Sequence, residues 1–161
     1  GRRLVEMLAP LKMTLIAARR HPATFPGVKV VTPAEADAQL GSADHVINVL
    51  PASLETECYF NIERLAKMRH HARFYNVGRG STVDQQGLLT CLETGRLAGA
   101  YLDVADPEPL NADSSLWTAP NCYITPHIAG GHVNEYERQV SHFIENLTRF
   151  TAGKPLLDRI V

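Results

Sequence analysis

Apolar and polar positions change period repeatedly along this chain. Behind Gly1, Leu4, Val5, Leu8 and Leu11 recur at helical spacing, and Met13-Thr14-Leu15-Ile16-Ala17 follows as the short apolar run of a buried strand. A loop holding Pro22 and Pro26 leads to a short strand over 28–31. Thr32-Pro33-Ala34-Glu35 then reads as a capping box with proline at the first helical position, opening a helix to about residue 40. The run HVINVL over 45–50 is the next strand, ended by Pro51; Ile62, Leu65 and Ala66 mark a helix, and 73–77 a further strand. Asp84 caps a helix through Thr94 that stops at Gly95, and strands over 98–104 and 122–125 flank a Pro/Asp/Asn-rich loop over 105–120. A last helix is expected over about 133–152.

Strands that are apolar throughout, alternating with helices, imply a parallel sheet covered on both faces, the doubly wound α/β class. Ligands of such folds lie outside the carboxyl ends of the strands. Five conspicuous residues sit at those ends: Arg19, Pro51, Arg79, Asp103 and His127.

Composition narrows the partners. At 161 residues, 45% hydrophobic and 20% charged, the chain has the makings of one ordinary domain with a sizeable core. Sixteen basic against seventeen acidic residues give a net charge of -1, which lacks the footprint that nucleic acid or an acidic membrane requires and points to a small-molecule ligand. Cys58, Cys91 and Cys122 are scattered, without metal or disulfide spacing, so all three are read as packing residues of a protein in a reducing, cytoplasmic compartment. No apolar run approaches the roughly 20 residues of a membrane span. His70 and His71 lie in a basic turn, and His132 and His142 on the last helix lack a third ligand, so they read as surface residues and no metal is expected.

Gly78-Arg79-Gly80 places a guanidinium in a tight turn after a strand, where flanking glycines would let a ligand approach the backbone and the planar fork could grip a carboxylate. A plain surface turn would read the same way. Asp103-Val104-Ala105-Asp106-Pro107-Glu108-Pro109-Leu110 and Ile124-Thr125-Pro126-His127-Ile128-Ala129-Gly130 each leave a strand with a titratable residue among prolines or glycines. A histidine moves protons at neutral pH, and a carboxylate on its other ring nitrogen fixes the tautomer and favours the imidazolium, so His127 and Glu108 are a candidate pair. Spacing alone leaves open a solvated loop acid and a histidine bonded to backbone.

In order, NVLPASLETE (48–57), NVGRGSTVD (76–84), GRLAGAYLDVADPEPL (95–110) and TPHIAGG (125–131) resemble the D-isomer-specific 2-hydroxyacid dehydrogenases, over almost the whole chain. The resemblance implies a Rossmann-like dinucleotide-binding domain with Arg79, Glu108 and His127 as catalytic residues. Arg79 would bind the substrate carboxylate and polarise the 2-oxo group, His127 would exchange the proton, and Glu108 would stabilise the imidazolium. It further implies that Leu50, Pro51 and Thr56 line the cofactor, that Val77, Gly78, Arg79, Asp103 and His127 lie on its nicotinamide side, and that Gly130 belongs to the loop beside His127.

Two departures matter. Gly1 resembles the last glycine of the family's G-x-G-x-x-G, so the first strand, two glycines and most of the substrate domain are expected to be missing, and the isolated piece to be inactive. The organisation expected is a dinucleotide-binding domain over 1–131 and a C-terminal helix and tail over 132–161 that packs back on the substrate domain. Eighteen residues beyond Gly1, an NAD-preferring member would carry an acid where this chain has Arg19-Arg20, so NADP is the cofactor expected ahead of NAD. The reading is an oxidoreductase, a homodimer by family analogy, reducing a small 2-oxo acid such as glyoxylate or hydroxypyruvate. The alternatives are a formate-dehydrogenase relative, which Glu108 argues against, a non-catalytic dinucleotide-sensing corepressor, and a naturally shortened protein.

Overall fold

The computed structural model describes residues 1–21, 23–131 and 133–159. Pro22 and His132, assigned above to a loop and to the surface of the last helix, lie outside the described residues. The chain forms two compact units, Gly1–His127 and Ile128–Val161.

In the first unit the elements run α1 (Arg2–Leu8), β1 (Leu15–Ala18), β2 (Val28–Val31), α2 (Pro33–Leu40), β3 (His45–Asn48), α3 (Ile62–Lys67), β4 (Arg73–Asn76), α4 (Gln85–Glu93), β5 (Gly99–Leu102) and β6 (Cys122–Ile124). Every strand pairing is parallel, and strands alternate with helices as the apolar pattern requires. The local signals act where they were read. The Glu35 carboxylate accepts from the Thr32 N–H at 2.8 Å, Asp84 Oδ1 accepts from Gly87 N at 2.9 Å, and Gly95 follows α4 at φ +68°.

The parallel α/β class stands, and three features refine the expectation. The strands form a two-stranded sheet, β1-β2, and a separate four-stranded sheet in the order β3-β4-β5-β6, because no strand among the described residues bridges β1 and β3. Secondly, β3 and β4 stop at Asn48 and Asn76, short of the ends that the apolar runs suggested. Asn48 Oδ1 accepts the N–H of Leu50 at 3.0 Å and Asn76 Oδ1 that of Gly78 at 3.1 Å, so each asparagine folds the chain back on itself and withdraws the next donor from the ladder.

Thirdly, the four-stranded sheet is fully covered on one face only. There Phe74, Ala100 and Leu102 pack with Leu65, Met68, Leu88 and Leu92 in the core. On the opposite face Tyr75, Tyr101 and Tyr123 stack in one row with centroids 4.9 Å apart, and Tyr123 is 53% exposed. The Tyr75 hydroxyl is bonded to His45 Nδ1 at 2.9 Å, and partial burial raises its pKa.

Asp37 ties α2 to α3, accepting from Arg64 Nε at 2.6 Å and Lys67 Nζ at 3.0 Å, and the Arg64 hydrogen bond holds its carboxyl below the usual range. The cysteines divide: Cys91 is buried, and burial pushes the half-buried Cys122 thiol up to about 11, whereas Cys58 is exposed at φ +44° and is not the packing residue expected.

The second unit is built on α5 (Glu135–Thr151). Tyr136, Val140, Phe143, Ile144, Leu147 and Phe150 fall on one stripe of that helix and are all exposed. Its tail is held by Leu157 N donating to Asn146 Oδ1 at 2.8 Å and by Arg149 Nε donating to the Pro155 carbonyl at 2.9 Å. Among the described residues no helix is long and apolar enough to cross a membrane.

Candidate active site

Parallel strands of the first unit present the loops after β1, β3, β4, β5 and β6 at their carboxyl ends, and the candidate residues stand on these loops. The centre is built on a buried polar net. Asn48 Nδ2 donates to Asn76 Oδ1 at 3.0 Å and to Thr82 Oγ1 at 2.7 Å, while Asn76 Nδ2 and Thr82 Oγ1 both donate to the Arg79 carbonyl, at 3.1 and 2.6 Å. Asn48, Asn76 and Thr82 are at most 1% exposed, so these bonds are shielded from competing water. The net fixes the Leu50 turn and the Arg79 turn relative to each other. Sequence reading passed over it, although the signal was present as an asparagine closing each of two otherwise strand-forming runs, HVIN and RFYN.

The glycines around Arg79 are required by close backbone packing. A Cβ on Gly78 would lie 2.6 Å from the Leu50 carbonyl oxygen, and one on Gly80 only 1.9 Å from that of Ala105. The backbone of the Arg79 turn thus lies flat against the Leu50 turn on one side and the strand-β5 loop on the other. Arg79 is exposed; its Nη1 donates to the Gly78 carbonyl at 2.7 Å, and its guanidinium is not hydrogen-bonded to Glu108 or His127.

Glu108 and His127 are brought together. His127 Nδ1 lies 2.5 Å from Glu108 Oε1, with both side chains less than half exposed. His127 adopts φ +54°, a left-handed backbone uncommon for a residue with a side chain, and its N–H donates to the Thr125 carbonyl at 3.0 Å. The ring's remaining nitrogen, Nε2, is thereby the one left to exchange a proton with a ligand. Two residues before Glu108, the Gln85 amide holds the loop by both backbone groups of one residue, donating to the Asp106 carbonyl and accepting from Asp106 N. Asp103 is buried at the end of β5 and accepts from Thr125 Oγ1 at 2.5 Å, joining the loops that carry Glu108 and His127.

The remaining candidates differ in exposure and in what holds them. Val77 and Pro51 are exposed, while Leu50 packs partly against the core. Thr56 is turned inward: its hydroxyl donates to the Pro51 carbonyl at 2.7 Å, so it closes the turn after β3. Gly1 opens α1 with free space about its Cα. Arg19 sits over the Phe25 ring at 5.5 Å, and Arg20 Nη2 donates to Glu55 Oε2 at 2.6 Å. Two cations at the end of β1 suit a phosphate better than a ribose hydroxyl. Gly130 lies in the second unit, one residue before Gly131, whose N–H donates to Ile128 O at 3.1 Å. A cleft of about 310 Å³ lies beside the Asp106–Pro107 loop, and Arg79, Glu108 and His127 do not line it.

Residues 1–129 match the family described as D-isomer specific 2-hydroxyacid dehydrogenase, NAD binding domain. Over 92 residues the chain is 48% identical to a probable 2-ketogluconate reductase of Dictyostelium discoideum, covering 57% of this chain and 28% of that protein. It is 34% identical over 155 residues to glyoxylate/hydroxypyruvate reductase A of Enterobacter sp. strain 638, covering 96% of this chain and 49% of that one. A crystal structure of a D-isomer specific 2-hydroxyacid dehydrogenase from Xanthobacter autotrophicus Py2, in complex with NADPH and MES, superposes with a TM-score of 0.92 at 32% identity, covering 100% of this chain and 66% of that one. The chain thus spans about half or less of the length of these two curated relatives.

Proposed function

This chain belongs to the D-isomer specific 2-hydroxyacid dehydrogenase family as its NAD-binding domain, and from that premise we propose that its protein reduces a small 2-oxo acid, of the glyoxylate or hydroxypyruvate class, to the D-2-hydroxy acid with NADPH. The observation that carries the proposal is the 2.5 Å contact between His127 Nδ1 and Glu108 Oε1, which sets one ring nitrogen against a carboxylate and leaves the other for substrate.

When bound, the reduced nicotinamide supplies the hydride. Arg79 takes the substrate carboxylate in its planar fork and polarises the 2-oxo group. His127 Nε2 gives its proton to the developing alkoxide, and Glu108 stabilises the imidazolium before transfer. In the oxidative direction the neutral ring accepts the hydroxyl proton, and the same carboxylate stabilises the product. Leu50, Pro51, Thr56, Val77, Gly78 and Asp103 line or support the cofactor, Gly1 and Gly130 bound it, and Arg19 and Arg20 meet the 2′-phosphate of NADP. That pair of cations favours NADP over NAD and hence the reductive direction.

Residues 132–161 form the C-terminal helix and tail, whose exposed stripe of Tyr136, Val140, Phe143, Ile144 and Leu147 packs on the substrate domain. The protein is a cytoplasmic homodimer. The test is turnover of glyoxylate and hydroxypyruvate by the full-length protein with NADPH and NADH, before and after His127→Asn. Loss of about 10²- to 10⁴-fold in kcat with dinucleotide binding retained is expected for a proton-transfer residue; unchanged kcat would refute the assignment.

A further inference from the structure

Arg20 and Glu55 meet at the carboxyl ends of two strands that share no ladder. Arg20 follows β1 and Glu55 lies in the turn after β3, and β1 and β3 belong to separate sheets. The 2.6 Å ion pair between Arg20 Nη2 and Glu55 Oε2 therefore spans the gap between the two sheets on the side where a dinucleotide is held. One end rests on a well-held turn. Glu55 stands beside Thr56, which is buried, donates its hydroxyl to the Pro51 carbonyl at 2.7 Å, and shares with Glu57 the Ser53 carbonyl as backbone acceptor at 3.0 Å. Arg20 is the longer side chain, and both side chains are well exposed.

Resting on the NADP reading above, we infer that Glu55 is a specificity-determining residue: it competes with the 2′-phosphate for Arg20 and so sets how strongly the protein distinguishes NADPH from NADH. A phosphate carries more negative charge and more acceptor oxygens than a carboxylate, so it takes Arg20 from Glu55 when present. The gain is reduced by the pair that must be broken and by the acid left near the phosphate. NADH has no 2′-phosphate, leaves Arg20 with Glu55, and is indifferent to the pair. Because both side chains are well exposed, the contribution is that of a surface ion pair and is screened by salt.

The experiment is calorimetric binding of NADPH, NADH and 2′,5′-ADP to the full-length protein at low and high ionic strength, for the parent, Glu55→Gln, Arg20→Gln, the double variant, and Glu57→Gln as an exposed acid of the same turn. Glu55→Gln is expected to tighten NADPH and 2′,5′-ADP by about two- to fivefold at low salt, to leave NADH within error, and to lose its effect in the Arg20→Gln background; Glu57→Gln changes neither. Weaker NADPH binding in Glu55→Gln, an equal shift for NADPH and NADH, or the same gain with Arg20 absent overturns the inference. If Arg20→Gln lowers NADPH affinity while Glu55→Gln does nothing, the inference alone fails. If Arg20→Gln leaves the NADPH to NADH ratio unchanged, the role of Arg20 in the NADP reading fails with it.

Discussion

Gly80→Ala tests whether the Arg79 turn is held by close backbone packing. The added Cβ would stand 1.9 Å from the Ala105 oxygen and 2.0 Å from its carbonyl carbon, where ordinary contact begins at 3.4 Å. The obstruction is main chain, with no flexible side chain to turn away, so one of the two loops must retreat by about 1.5 Å. Asp106 N, 2.7 Å from the same Cβ, is meanwhile held by Gln85 Oε1 at 3.1 Å, and Thr82 holds the Arg79 carbonyl from the other side. Overpacking costs commonly reach about 3 kcal/mol, and a rigid contact on both sides places this one at or above that figure. Thermal unfolding should fall by roughly 10 °C, and since both Arg79 and Glu108 are displaced, kcat/KM should fall by about two orders of magnitude. Calorimetry and denaturant melts of the full-length protein, with Gly130→Ala as a control in open space, measure the first; initial rates measure the second. A Gly80→Ala protein within about 1 kcal/mol of its parent, with parental rates, would refute the packing argument.

Asn76→Ala removes the acceptor of Gly78 N and the donor to the Arg79 carbonyl in a side chain only 1% exposed; a loss of about 3 kcal/mol is expected in denaturant melts, combining an orphaned buried N–H with a cavity. Asp37→Asn tests acid stability. The Asp37 carboxyl titrates below its usual 3.8 in the folded chain, so its pairing with Arg64 contributes stability that is fully present above the unfolded value and disappears as pH falls through the folded one. The variant should be less stable by about 1 kcal/mol near neutrality and should converge with the parent only as pH falls below 3.8 through the folded value in urea melts run at several pH values; a gap that persists or widens in acid would contradict this sign.

Much of the fold was legible because its signals are local. The capping box at Thr32, the Asp84 cap and the stop at Gly95 each depend on a few adjacent residues. The expected elements fall close to where they were read, and the strand runs overreached only where Asn48 and Asn76 turn the chain with their own side chains. The division into two sheets and the half-exposed tyrosine row were not legible. A tyrosine reads as a strand former whether its outer face is covered or not.

By itself the sequence determined the parallel α/β class and put forward Arg79, Glu108 and His127 as candidates, because periodicity, caps and reactive side chains are properties of short segments. Only the tertiary structure decided that Glu108 and His127, 19 residues apart, touch. It alone placed Asn48, Asn76 and Thr82 in one buried net, set Ala105 against Gly80, and gave Arg20 the carboxylate of Glu55, 35 residues away. The physical reason is that a hydrogen bond or a steric contact acts over a few ångströms in space, and which distant residues come within that range is settled by how the strands order and the loops fold back.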